Sequence, residues 1–301
     1  MKDLSKNKRI IADATLLLVA FIWGAGIPMS AHLARVISPL WAVSLRMSVA
    51  GLALFLLYPR KVVSSTKEVW RGSAWLALII SAVFTLMTFA LKLSTASKQA
   101  FLIGNSVIIV PFLVWAVYRK KPQTCVFLGA ALSTFGLLVM GFTPGMTFNF
   151  GDFLSGVMVF IAAGQILVIS HFAKKMDTRT LVANHIILAG IILTLAALIF
   201  EPIPDFPSFS RFIWFEILAV SLINTVLCFL LQFRAQRHTS EAHAAVILST
   251  ESLFGYFVAV FSGQDPFHLQ GAMGGFFIFI GVLMAEADIL IKKREIPHSS
   301  N

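Results

Sequence analysis

Apolar positions in this chain run together rather than alternate. Ten stretches are almost wholly apolar, at residues 11–31, 40–58, 73–93, 99–118, 124–142, 151–172, 181–200, 211–232, 240–262 and 268–291, and short polar links join them. A helix needs about 20 apolar residues to cross a hydrocarbon core ~30 Å thick, and each run is close to that length. Strands of a membrane barrel would alternate every second residue over ~10-residue segments. The pattern therefore predicts an all-α integral membrane protein with ten transmembrane helices. Many links carry Pro, Gly or a charge, as in "YRKKPQ" and "FTPGMTFNFGD". The stretch "MKDLSKNKRIIADATLLLVAFIWGAG" begins like a signal peptide, but no small-x-small cleavage site follows its apolar run. It reads as the first transmembrane helix.

Composition agrees. The 301 residues are 58% hydrophobic and 13% charged, with a mean hydropathy of +0.85; a soluble chain carries roughly 25% charged residues. A net charge of +10 could point to nucleic acid, but the basic residues sit in the short links, so no nucleic-acid partner is expected. Their distribution sets orientation instead. Of the 24 Lys and Arg, nineteen fall at the N-terminus, in the second, fourth, sixth and eighth links, and after the last run. Four fall in the other links, and Arg46 is the remaining one. This alternation predicts a multi-pass protein of the cell inner membrane with both termini cytoplasmic. Cys125 and Cys228 lie inside apolar runs and read as small packing residues rather than a disulfide.

Ten spans divide into five and five. An odd number per half reverses the second half, and inverted repeats of this kind build many secondary transporters. The expected repeats are residues 1–145 and 146–301. A trace survives in the residues: "STASKQAFLIGNSV" opens span 4 and "RHTSEAHAAVILSTES" opens span 9, with Thr95 and Ala100 in line with Thr239 and Ala244.

Several stretches resemble the ten-helix EamA type of the drug/metabolite transporter superfamily. They include "FIWGAGIPMSAHL", with the Trp-Gly pair at Trp23 and Gly24, and "ISPLWAVSLRM", with Pro39 and Arg46. Span 4 has "TASKQAFLIGNSVIIVPFLVW", with its later proline at Pro111, and "FGDFLSGVMVFIAAGQILVISHFAKK" looks like the start of the second repeat. The family often has Glu-Pro in span 9; here Glu251 precedes Ser252, so the proline that would bend that helix is missing. The resemblance covers nearly the whole chain. It implies a secondary transporter, a permease and commonly an exporter, of small metabolites such as amino acids, working by alternating access.

Polar residues inside the runs are the candidate site, because a charge at mid-bilayer costs roughly 2.5–3.5 kcal/mol and usually faces a cavity or a partner. Glu251 lies eleven residues into span 9. It is either a proton-coupling or cation-contacting group on a cavity, or a protonated or hydrogen-bonded group between helices. Asn105, Gln165 and Asn224 either bind a polar substrate or bond between helices, at ~0.6 kcal/mol each. Trp23 either walls the pocket or packs. Arg46 has three readings: it snorkels to the headgroups, holds a substrate carboxylate, or pairs with backbone carbonyls near the end of span 1. Pro28 is expected to kink span 1. Asp13, Glu286 and Asp288 read as solvated or paired rim groups, and His171 and His185 as packing residues. Gly271 and Gly275 form a GxxxG that is either a dimer seam or close packing within one bundle.

No phosphate loop, HExxH or CxxC occurs. No cofactor, metal or enzymatic activity is expected. The implied partners are a small-molecule substrate and the lipid bilayer, with the chain a monomer or weak homodimer. Two alternatives stay open: an integral membrane enzyme acting on lipid, and a non-transporting receptor or scaffold.

Overall fold

Each apolar run is a helix. The computed structural model describes residues 2–93, 96–119, 121–141, 149–263 and 266–291. Span 1 is Lys2–Val36, span 2 Pro39–Leu57 and span 3 Lys67–Leu93. Span 4 joins Ala96–Gly104 to Ser106–Tyr118. Span 5 is Thr124–Gly141, span 6 Phe150–Ala173 and span 7 Thr178–Phe200. Span 8 runs through Arg211–Gln236 and span 9 joins Glu241–Leu248 to Thr250–Phe261. Span 10 is Leu269–Ile291. Among the described residues, nine helices are long and apolar enough to cross a membrane, and the shorter Leu269–Ala285 stretch of span 10 adds a tenth. Several helices outrun the apolar stretches: span 1 starts at Lys2 and span 3 at Lys67. Hydropathy ends at the edge of the hydrocarbon, whereas backbone hydrogen bonding continues beyond it. The Thr95 position, the side chains of Glu286 and Asp288, and the expected 145/146 division lie outside the described residues.

Large apolar side chains cover the outside of the bundle; Phe261 is 86% and Phe200 75% exposed. Such a surface would be a liability in water and is the ordinary boundary with lipid. This is a multi-pass membrane protein.

Helix pairing follows a two-fold pattern. Spans 2 and 7, 4 and 9, and 5 and 10 each pack against their own counterparts, and span 3 against span 6 is matched by span 8 against span 1. The seam between spans 5 and 10 shows the symmetry atom by atom. A Cβ on Gly129 would sit 2.5 Å from the Gly281 carbonyl oxygen, and one on Gly281 would sit 2.6 Å from that of Gly129. Gly136 and Gly274 meet equally closely. Gly129 is equivalent to Gly274 and Gly136 to Gly281, both 145 residues on, so the contacts are reciprocal, as a two-fold axis demands. Only glycine permits this backbone approach. Gly271 and Gly275, by contrast, back onto Tyr256 and Leu253 of span 9, so that GxxxG packs inside the bundle.

Links of alternate parity gather at opposite ends. At one end Lys61 bonds Asp177 at 2.8 Å and Lys174 bonds Glu241 at 2.8 Å. There also, Asp13 lies 3.7 Å from Arg9 and 3.5 Å from His243. Burial alone would raise the Asp177 carboxyl, but bonds from Lys61 and Thr180 outweigh it and hold the group below the ordinary carboxylate range. At the other end the Glu201 carboxylate accepts from the backbone N–H groups of Leu40 and Trp41, capping span 2 from span 7. His32 of span 1 meets the buried Glu216 of span 8 at 2.6 Å. Spans 2 and 7 are thus clamped at both ends. His185 packs as expected, its Nδ1 2.8 Å from the Leu181 carbonyl oxygen and its ring stacked on Phe233.

Candidate functional site

Three local departures from regular helix converge near mid-bundle. The first is in span 8, where Leu222–Leu227 widens into a π-turn. Its Cys228 N–H reaches back five residues to the Ile223 carbonyl, and the Thr225 hydroxyl donates to the Val220 carbonyl at 2.8 Å. π-turns inside helices often mark functional sites. This one presents Asn224 and Thr225 to the first half of the chain. Trp23 Nε1 donates to the Asn224 carbonyl at 2.7 Å, and Asn224 Nδ2 donates to the Ile22 carbonyl at 2.8 Å. The glycines beside Trp23 make room. A Cβ on Gly24 would lie 2.6 Å from the Glu251 carbonyl oxygen, and the Asn224 amide fills the place a Cβ on Gly26 would take. Pro28, one turn later, cannot donate to the Gly24 carbonyl, yet span 1 runs as one helix through it.

The other two departures are equivalent. Span 4 is interrupted at Asn105 and span 9 at Ser249, 144 residues apart. The cause is side chains that bond their own preceding turn. Asn105 Nδ2 donates to the Phe101 carbonyl at 2.9 Å. The Ser249 and Thr250 hydroxyls donate to the Val246 and Ile247 carbonyls, each at 2.7 Å. Span 9 therefore breaks without the missing proline, two residues before Glu251.

Arg46 does not snorkel. Its residue is 8% exposed, and the side chain points into the bundle. Nε donates to Thr225 Oγ1 at 2.8 Å and an outer nitrogen to Ser30 Oγ at 3.4 Å. The guanidinium carbon sits 4.4 Å from the centre of the Phe84 ring, a cation–π contact worth roughly 2 kcal/mol when desolvated. Among the described residues, no carboxylate lies within 4.0 Å of the guanidinium. Ser30, Phe84 and Thr225 lie on spans 1, 3 and 8, so Arg46 ties span 2 to three other helices rather than reaching the headgroups.

These groups surround a cavity of about 110 Å³, room for several waters or a small solute. Five of the six candidate residues line it: Trp23, Arg46, Gln165, Asn224 and Glu251. Asn105 does not. Its neighbours Gly104 and Ser106 line the wall while its own amide is spent on the backbone. Among the described residues Glu251 is the only acidic side chain on the cavity, and Arg46 the only basic one. Contributions that sequence reasoning missed are Phe84, Thr225 and Gln232. A phenylalanine carries no signal in an apolar run. Thr225 and Gln232 were visible as polar residues in span 8, and their side of the helix was not. Among the described residues no three His, Cys, Asp or Glu side chains converge as a metal site would need.

Known proteins resemble this chain in sequence and fold. The profile of the EamA-like transporter family matches residues 10–142 and again residues 149–286. An uncharacterized transporter of Archaeoglobus fulgidus is 25% identical over 279 residues, covering 92% of this chain and 86% of its own length. The uncharacterized transporter YoaV of Bacillus subtilis is 20% identical over 277 residues, covering 89% of this chain and 94% of its own. A solved crystal structure matches with a TM-score of 0.75 at 15% identity, over 96% of this chain and 99% of the other, and has the same fold. With two family matches spanning nearly all of its length, and with paired five-helix halves around one central cavity, the chain belongs to the EamA-like transporter family of the drug/metabolite transporter superfamily.

Proposed function

We propose that this protein is a secondary transporter that exports small zwitterionic metabolites such as amino acids by alternating access, and that it is not an enzyme. The observation that carries the reading is the central cavity, with one buried cation, Arg46, and one acid, Glu251, both on its wall beside interrupted helices. A guanidinium with donors to spare suits a carboxylate, and a carboxylate suits an ammonium group or a proton. Each interruption is a single residue that keeps right-handed helical dihedrals, and interrupted helices are common at transporter sites. The Trp23–Asn224 and Arg46–Thr225 bonds tie the first half to the second, so in this reading they exchange as the two halves, 1–145 and 146–301, rock. The partners are the solute and the bilayer, and the working unit is a monomer or weak homodimer.

Flux decides the matter. Proteoliposomes holding the purified protein are expected to take up or release radiolabelled amino acids well above protein-free vesicles. Uniform absence of flux across a panel of zwitterionic, anionic and cationic metabolites would remove the transport reading.

In the same reading the basic links face the cytoplasm, in an inner membrane. In intact cells an impermeant maleimide is expected to label Ser208→Cys and to spare Lys175→Cys, both exposed positions in opposite links. The reverse pattern would invert the topology.

A further inference from the structure

Gln232 and Gln236 lie one turn apart on the last stretch of span 8, and Thr239 follows three residues later. Both glutamines and the threonine are more than nine-tenths buried, with exposures of 3%, 0% and 6%. Yet Gln232 Oε1, both polar atoms of Gln236 and Thr239 Oγ1 have no hydrogen-bond partner in the protein. Burying an amide or hydroxyl unpaired is costly, so three such residues in a row are not ordinary packing. In this conformation a water-sized sphere does not reach these atoms, so water pairs with them only when the side chains part; buried polar groups lacking protein partners are where ordered water enters.

Both ends of this line open onto space. Gln232 is on the wall of the central cavity. Thr239 is on the wall of a second pocket, of about 610 Å³, at the end where the basic links gather. Between Gln232 and Gln236 the rise is about 6 Å, two water diameters. The second pocket is lined by Arg9, Lys121, Lys174, Lys175 and His238, with Glu241 the single acid among its described lining residues. Glu241 is engaged by Lys174. Burial and the charges of Lys8, Arg237 and Arg234 push the His238 imidazole below its ordinary range, a sign of concentrated positive potential at this mouth.

We propose that Gln232, Gln236 and Thr239 line a passage, closed in this conformation, that takes up water as the side chains part, joins the central cavity to the basic pocket and admits small anions. Its existence does not depend on transport; its purpose, as the inner route between cavity and solvent, rests on the transport reading above.

Thiol reactivity tests it. Cys125 and Cys228 are first replaced by Ser and Ala, and single cysteines are then placed at Gln232, Gln236 and Thr239. A control cysteine replaces Ala183, fully buried in the apolar core of span 7. The proteins are held in lipid nanodiscs, so that both faces are open, and checked for a single gel-filtration peak. A sulfonate-bearing methanethiosulfonate is expected to label the three passage positions at least about tenfold faster than Ala183→Cys. It is also expected to outpace the trimethylammonium reagent of similar size at those positions. Three independent positions keep the test alive if one variant misfolds. Passage cysteines no faster than the control would make the line dry packing and overturn the proposal. A cationic reagent that matches or exceeds the anionic one would overturn it too. Flux in proteoliposomes with an unlabelled passage sinks this inference alone, and labelling without flux sinks only the transport reading.

Discussion

Glu251→Gln is expected to abolish transport driven by a pH gradient, lowering the gradient-dependent component at least about a hundredfold, while substrate exchange without a gradient persists. The expectation follows from place and chemistry. Glu251 is the second residue of the half-helix that follows the Ser249 interruption, and its side chain reaches the cavity wall. Intramembrane carboxylates that face a cavity are the usual proton carriers of transporters. Glutamine keeps the size, the planar head and the hydrogen-bonding capacity of the acid but cannot exchange a proton. Packing around Gly24, which abuts the Glu251 backbone rather than its side chain, is untouched. The measurement is accumulation of labelled substrate in proteoliposomes with an imposed pH gradient, set beside counterflow without one. A variant that follows the gradient as well as the parent would remove Glu251 as the coupling group and leave an uncoupled exchanger or facilitator.

Arg46→Lys is expected to weaken carboxylated substrates roughly tenfold to a hundredfold, and their amide or ester analogues far less. A charge-assisted bond is worth about 1.5–3 kcal/mol, and about 1.4 kcal/mol is a factor of ten in affinity. Lysine retains the charge but loses the planar fork, and with it the Nε bond to Thr225 and the flat face against Phe84. Those two contacts also position span 2 against spans 8 and 3, so a structural role has to be separated from binding. Substrate class does this. Loss of a carboxylate contact falls on carboxylates, whereas displaced helices penalise every substrate. Equal loss for acids and amides, at normal protein levels, would leave Arg46 as a positioning residue.

Much of this protein was legible as one-dimensional pattern. Apolar runs of about 20 residues have one solution in a bilayer, since every backbone N–H and C=O must be satisfied within the segment. Span count and helical fold follow from that and from the strict alternation of basic links. Polar candidates stood out for the same reason: a polar group is conspicuous where the background is apolar, and four of the five selected on that ground line one cavity, together with Trp23. Missing from the sequence was direction. Position in a run gives depth but not the side a residue faces, which is why Arg46 could be read as snorkelling and Asn105 as cavity-lining.

Only the folded chain shows which way those side chains turn, through long-range pairing for Arg46 and through a competing bond within its own helix for Asn105. Arg46 turns inward because Thr225, 179 residues away, is held out to it by a π-turn. Asn105 turns from the cavity because its amide finds nearer carbonyls on its own helix. The break in span 9 needed no proline, only hydroxyls competing for the preceding turn. Runs of apolar residues determine that helices form and how many there are, since that is settled within each segment by solvent. Which faces meet is settled between segments by the close approach of glycines such as Gly129 and Gly281 and by a few long-range bonds, and no periodicity in the chain encodes it.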